Sequence, residues 1–105
     1  MKAIHFEWDY NKASSNIAKH GVSFSEASTV FDDLWARITD DPNHPESERR
    51  FLILGMSSKP RLLIVCHCYR NQDEAIRIIS ARKATKAEII SYFKFRKGHG
   101  YARRI

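Results

Sequence analysis

The side chains best able to do chemistry here are cations and imidazoles: Lys19 and His20 next to one another, His67, and a basic run Arg70, Arg77, Arg82 and Lys83. Arginine is permanently charged and offers forked N–H donors that match phosphate or carboxylate oxygens. Histidine has an ordinary pKa of about 6.5 and can take or give a proton near neutrality. The set therefore suits binding of an anion together with proton transfer. A net charge of +6 agrees with an anionic partner. From Arg61 onward, lysine and arginine face only Asp73, Glu74 and Glu88.

Other constellations carry less. Cys66-His67-Cys68 looks like a metal cluster, but in a strand the imidazole points away from both sulfurs. The acids and imidazole of Asp40, Asp41, His44, Glu46 and Glu48 sit in a proline-rich loop without metal-cage spacing and read as solvated. Glycine-rich phosphate loops, nucleophile elbows and zinc spacings are absent, so neither a metal nor a cofactor is expected.

The elements that must position these groups are legible. One domain spans residues 1–97, followed by a basic tail over 98–105. Residues 3–8 alternate as a strand. Asp9 caps a helix that Gly21 ends, and Ser23 and Glu26 form a capping box for a second helix with an apolar stripe of Phe24, Ala27, Val30, Phe31 and Leu34. Residues 35–39 form a short strand. Three more runs, 50–56, 62–70 and 75–82, are joined by short turns and predict an antiparallel meander, with the doubly apolar 62–70 run at its centre. Thr85 and Glu88 open a last helix that turns Ile89, Ile90 and Phe93 inward and ends before Gly98. The order is β-α-α-β-β-β-β-α, an α+β fold with an antiparallel sheet packed on helices. No stretch is apolar enough to span a bilayer, and no secretion signal is evident, so a cytoplasmic location is expected.

Three stretches in that order resemble the BrnT toxin family. They are Phe6-Glu7-Trp8-Asp9 with Lys19-His20-Gly21-Val22-Ser23-Phe24, then Phe51-Leu52-Ile53-Leu54-Gly55, and Ile76-Arg77-Ile78-Ile79-Ser80-Ala81-Arg82-Lys83-Ala84-Thr85. The resemblance covers most of residues 6–93. It implies a RelE-like fold and a bacterial type II toxin that cleaves RNA and arrests translation. It also implies neutralisation by a BrnA-type antitoxin, contact with DNA only through that antitoxin, and allows a 2:2 toxin–antitoxin assembly. The chain differs at Cys66, Cys68 and Tyr69, where the resemblance leads one to expect Thr, Glu or similar residues.

RNA needs no metal to be cut, because its own 2′-hydroxyl can attack the adjacent phosphate if one group removes that proton and another protonates the leaving oxygen. The catalytic candidates are His67, Arg77, Arg82, Lys19 and His20, with Arg70 and Lys83 binding RNA. Strand register decides which of them meet. If Arg70 lies opposite Ala75, His67 faces Ile78 and shares a side with Ser80 and Arg82, while Arg70 and Arg77 share the other; a slip by one residue puts His67 beside Arg77. The same charge would also serve a non-catalytic RNA- or ribosome-binding module, or a protein whose basic surface only receives an acidic partner.

Overall fold

The first helix starts and stops where its sequence requires. The Asp9 carboxylate accepts from the Lys12 amide at 3.0 Å, and Gly21 takes the left-handed conformation, φ 68°, that closes the last turn. The computed structural model describes the backbone of residues 4–103 and the side chains of residues 4–98. Its elements are β1 (His5–Glu7), α1 (Tyr10–His20), α2 (Phe24–Ser28) continuing into a 3-10 turn (Thr29–Asp32), β2 (Arg37–Asp40), β3 (Phe51–Met56), β4 (Leu62–Arg70), β5 (Ala75–Lys83) and α3 (Lys86–Arg103). The α+β order is the expected one. The strands lie as β1-β5-β4-β3-β2, with β4 central. Strands β2 to β5 form the antiparallel meander, and β1 adds in parallel to the outer edge of β5, which makes the sheet mixed.

One face of the sheet holds the core. Leu63, Val65, Ile78, Ala81 and Ile53 pack against Val22, Phe24, Ala27 and Val30 from α2 and its flanks, all nearly inaccessible to solvent. Gly55 lets the 3-10 turn come close: a Cβ there would meet the Val30 carbonyl oxygen at 3.1 Å and the Val30 Cβ at 3.2 Å. The helix after Ser23 is shorter than its apolar stripe suggests. It tightens after Ser28, and Leu34 falls beyond it, largely exposed.

The two capping boxes behave differently. Thr85 and Glu88 bond reciprocally, with Glu88 Oε1 accepting from the Thr85 amide at 2.7 Å and Thr85 Oγ1 from the Glu88 amide at 3.2 Å. Ser23 accepts from the Glu26 amide at 3.0 Å, but the Glu26 carboxylate turns away to Arg61 and Ser57. Buried charge demands a full partner more strongly than a helix end demands a second cap. Arg61 holds the Glu26 carboxyl below its usual range, and the Ser57 hydroxyl adds to this.

Beyond the end of β1, α1 closes the sheet edge with a side chain. Asn16 Oδ1 accepts from the Ala81 amide at 3.1 Å, and its Nδ2 donates to the Ala81 carbonyl at 2.8 Å and the Val22 carbonyl at 2.9 Å. The amide thus does what another strand would do.

Helix α3 departs from expectation twice. It continues through Gly98 to Arg103, since one glycine weakens a helix without breaking it. The side chains of residues 99–105, where part of the expected tail lies, are outside the described residues. Its inward stripe is also not Ile89, Ile90 and Phe93, which are exposed by 38%, 64% and 46%. Among the described residues of the helix the buried one is Tyr92, whose hydroxyl donates to Asp33 Oδ2 at 2.7 Å. Asp33 also accepts from the Met56 amide, so it ties the 3-10 turn, β3 and α3 together. Polar anchors at Glu88 and Tyr92, one turn apart, set the roll of the helix in place of its bulkiest apolar residues.

Candidate functional site

The other face of the sheet is where the arginines meet, and an irregularity in β5 brings them together. Regular alternation would put Arg77 and Arg82, five residues apart, on opposite faces. Between β4 and β5 the register runs Arg70↔Ala75, Cys68↔Arg77 and His67↔Ile78, then shifts to Cys66↔Ser80 and Ile64↔Arg82. Ile79 is the extra residue of a β-bulge. One additional residue restores parity, so Arg70, Arg77, Ser80 and Arg82 lie on the same side, with Cys66 and Cys68 between them. The register Arg70 opposite Ala75 is thus realised near the turn. Its extension to Arg82 is not: the bulge removes Ser80 and Arg82 from His67's face.

Each of these cations has an acidic partner. Arg77 Nη1 donates to Glu7 Oε2 at 3.0 Å, across the pair that joins β5 to β1. Arg70 Nη2 donates to Glu48 Oε2 at 3.0 Å, and Glu48 Oε1 accepts from Arg50 at 3.1 Å. Arg82 makes a forked pair to Glu88 at 2.8 and 3.1 Å. That fork, with the Thr85 amide, pulls the Glu88 carboxyl down to about 2. Arg82 therefore fastens the start of α3 to β5 as well as charging the face. All three guanidiniums keep solvent contact, with side-chain exposures of 44% for Arg70, 30% for Arg77 and 41% for Arg82.

The loop after β2 is not simply solvated. The Asp41 amide donates to the Arg50 carbonyl at 3.0 Å, closing the loop at its base, and the Cys66 thiol lies 3.5 Å from Asp41 Oδ2. Burial, then Asp41, pushes the Cys66 thiol up to about 11, which keeps it protonated and a poor nucleophile.

His67 is on the core face and has no solvent exposure. Its ring packs edge-on against Phe31, at 4.9 Å between centroids, and Tyr69, at 5.3 Å. Nδ1 lies 3.2 Å from the Val65 carbonyl, an acceptor only, so the ring proton sits on Nδ1 and leaves Nε2 to accept from the Tyr69 hydroxyl at 3.3 Å. Burial moves its pKa down, and the imidazole stays neutral. It does not share a surface with the arginines.

Lys19 and His20 are brought to a separate cleft of about 300 Å³ between α1 and the open stretch of β5, also lined by Lys12, Ser15, Ile79 and Ser80. Ser80 belongs to both the cleft and the arginine face, so the two are continuous. Lys83 is exposed at the end of β5 but pairs with Leu63, so it lies on the other side of the strand and is not brought together with Arg70. Among the described residues no group of three His, Cys, Asp or Glu side chains is placed to hold a metal ion. Likewise no described helix is long and apolar enough to cross a membrane.

Three residues of this face were not singled out from sequence: Glu7, Glu48 in its role as a partner, and Arg37. Glu7 lies opposite Arg77 only because β1 pairs with β5 across some seventy positions of chain. Arg37 completes a row across four strands, since Arg37 pairs with Leu54, Leu54 with Ile64 and Ile64 with Arg82.

The family model described as "Ribonuclease toxin, BrnT, of type II toxin-antitoxin system" matches residues 8–88. The crystal structure of the Brucella abortus ribonuclease toxin BrnT has a similar fold, with a TM-score of 0.58 and 23% identity over 80% of this chain and 100% of that chain. Curated protein sequences give no match. With the family model spanning most of its length, from just after β1 into α3, the chain belongs to the BrnT family of ribonuclease toxins of type II toxin–antitoxin systems.

Proposed function

We propose that this chain is a cytoplasmic endoribonuclease that cuts messenger RNA without a metal ion, so arresting translation, until a BrnA-type antitoxin covers it. The observation that carries this reading is the gathering of Arg70, Arg77 and Arg82 on one solvent-accessible face by the bulge at Ile79. In this reading Arg77 and Arg82 hold the scissile phosphate and stabilise the charge that builds on it. Arg70 binds the neighbouring backbone on the same face, and Lys83 adds an exposed charge at the end of β5, on the side of the strand opposite to the arginines.

The RNA supplies the nucleophile. Its 2′-hydroxyl loses a proton and forms a bond to phosphorus, the bond from phosphorus to the 5′ oxygen breaks, and that oxygen is protonated. The products are a 2′,3′-cyclic phosphate and a 5′-hydroxyl. In this reading His20 and Lys19 move those protons, which is supported by their cleft sharing Ser80 with the arginine face. His67, sealed in the core, contributes to the packing of β4 and not to the chemistry. The carboxylates of Glu7, Glu48 and Glu88 already bond these guanidiniums, so acidic side chains of an antitoxin would compete with RNA phosphates for the same positions. A 2:2 assembly, with DNA bound through the antitoxin alone, completes the proposal.

The test is incubation of purified protein with RNA, and with DNA of the same sequence, in excess EDTA. Cleavage of RNA alone, leaving cyclic phosphate ends, is expected. Loss of cleavage in EDTA would refute the metal-free chemistry.

A further inference from the structure

Where α3 crosses the arginine face it leaves a cleft of about 250 Å³. We propose that this cleft, resting on the ribonuclease reading above, is a subsite for one guanine base of the substrate RNA. Its floor is the apolar side of Leu52, Leu54 and Ile64, on which the flat face of a base can lie. Arg37 and Glu88 line it with opposite charges.

Arg37 supplies the second observation. Its Nη2 donates to Ser91 Oγ at 2.9 Å and its guanidinium stacks on the Phe95 ring at 4.6 Å, yet its Nε–H is buried without an acceptor. An unmet donor of this kind is uncommon in a folded protein, and an acceptor on a bound base would satisfy it. Across the cleft, Glu88 Oε2 takes one bond from Arg82, so its remaining lone pair can accept another. The ligand must therefore present a flat face, an acceptor for Arg37 and a donor for Glu88. Guanine does so with O6 and N7 on one edge and N1–H and the 2-amino group on the next. Adenine and cytosine lack the ring N–H, and uracil has a smaller face to bury.

The position suits a base attached to the bound phosphate. Arg37 stands in the same cross-sheet row as Arg82, and Glu88 bonds Arg82 directly, so the cleft opens beside the proposed phosphate-binding group. The site would thus choose where the chain is cut.

The experiment measures binding of uncleavable 2′-O-methyl oligonucleotides that differ in one base, alongside the four nucleoside monophosphates. Guanine is expected to bind about tenfold more tightly than the others at one position. Arg37→Lys keeps the cation and removes Nε–H, and Ser91→Phe fills the cleft from an exposed helix position; each should erase most of that preference. Thermal melting checks the fold, and Ser91→Phe keeps the test open if Arg37→Lys does not fold. Equal binding of all four bases, or a preference that survives both variants, overturns the proposal. If guanosine monophosphate binds through Arg37 but RNA stays intact, the subsite stands and the ribonuclease reading falls. RNA cut without base preference gives the reverse.

Discussion

The two faces of β4 and β5 are made by neighbouring residues of the same strands, yet they have opposite characters. On one, Leu63, Val65, His67, Ile78 and Ala81 are sealed under the helices, and burial lowers the pKa of the imidazole among them. On the other, Arg70, Arg77 and Arg82 remain in contact with water and are each matched to a carboxylate. The difference shows what decides whether a polar side chain on a strand is available for chemistry. Residue type made both His67 and Arg77 candidates. The parity of its position placed one under the helices and the other outside.

The comparison can be broken most severely just beyond the bulge. There the register directs position 81 into the core, so Ala81→Arg puts a cation on the face opposite to Arg82. Burying an unpaired cation costs several kcal/mol, so we expect a loss of at least about 4 kcal/mol in chemical denaturation, together with all cleavage. A variant as stable and active as the parent would mean that position 81 does not face the core. Arg77→Ala should separate function from fold, lowering cleavage about a hundredfold, as removal of one charge-stabilising donor does, with little change in melting temperature. Unfolding of that variant would make Arg77 structural.

His67→Ala should do the opposite. It leaves a cavity between Phe31 and Tyr69 and should cost about 3 kcal/mol of stability, while the folded fraction still cuts RNA. A stable but inactive variant would return His67 to the chemistry.

The smallest effect concerns the fork that anchors α3. The Glu88 carboxyl is held far below its unfolded value, so its pairing stabilises the fold fully above about 4.5 and loses that contribution as pH falls toward about 2. Because Arg82 is 41% exposed, solvent screening limits the gain, and Glu88→Gln should cost roughly 1 kcal/mol near neutrality. The gap between parent and variant should close at the acid end of a denaturation series. A gap that stays constant with pH would show that charge is not what Glu88 contributes.

Much of the architecture could be read from local signals. Asp9, Gly21, Ser23 and Thr85 mark helix ends through backbone groups within a few residues of themselves, so neighbours in sequence suffice. The 62–70 strand and its central place follow in the same way from an apolar run between turns. Sites were less legible for the same reason. Arg70, Arg77 and Arg82 could be named from sequence but their grouping on one face could not, because a bulge depends on how β4 and β5 fit against helices distant in sequence. Ile89, Ile90 and Phe93 were misplaced because hydrophobicity suggested the buried stripe of α3, whereas bonds from Glu88 to Arg82 and from Tyr92 to Asp33 set it.

By itself, then, the sequence determined the order of elements, an excess of cations in the second half and the resemblance to BrnT toxins, all of which rest on residue type and short-range spacing. Only the tertiary structure decided which cations share a surface, which acids hold them, that His67 is enclosed, and that Arg37 lies in a row with Arg82. These are matters of strand parity and long-range pairing, in which a single extra residue moves every later side chain to the other face.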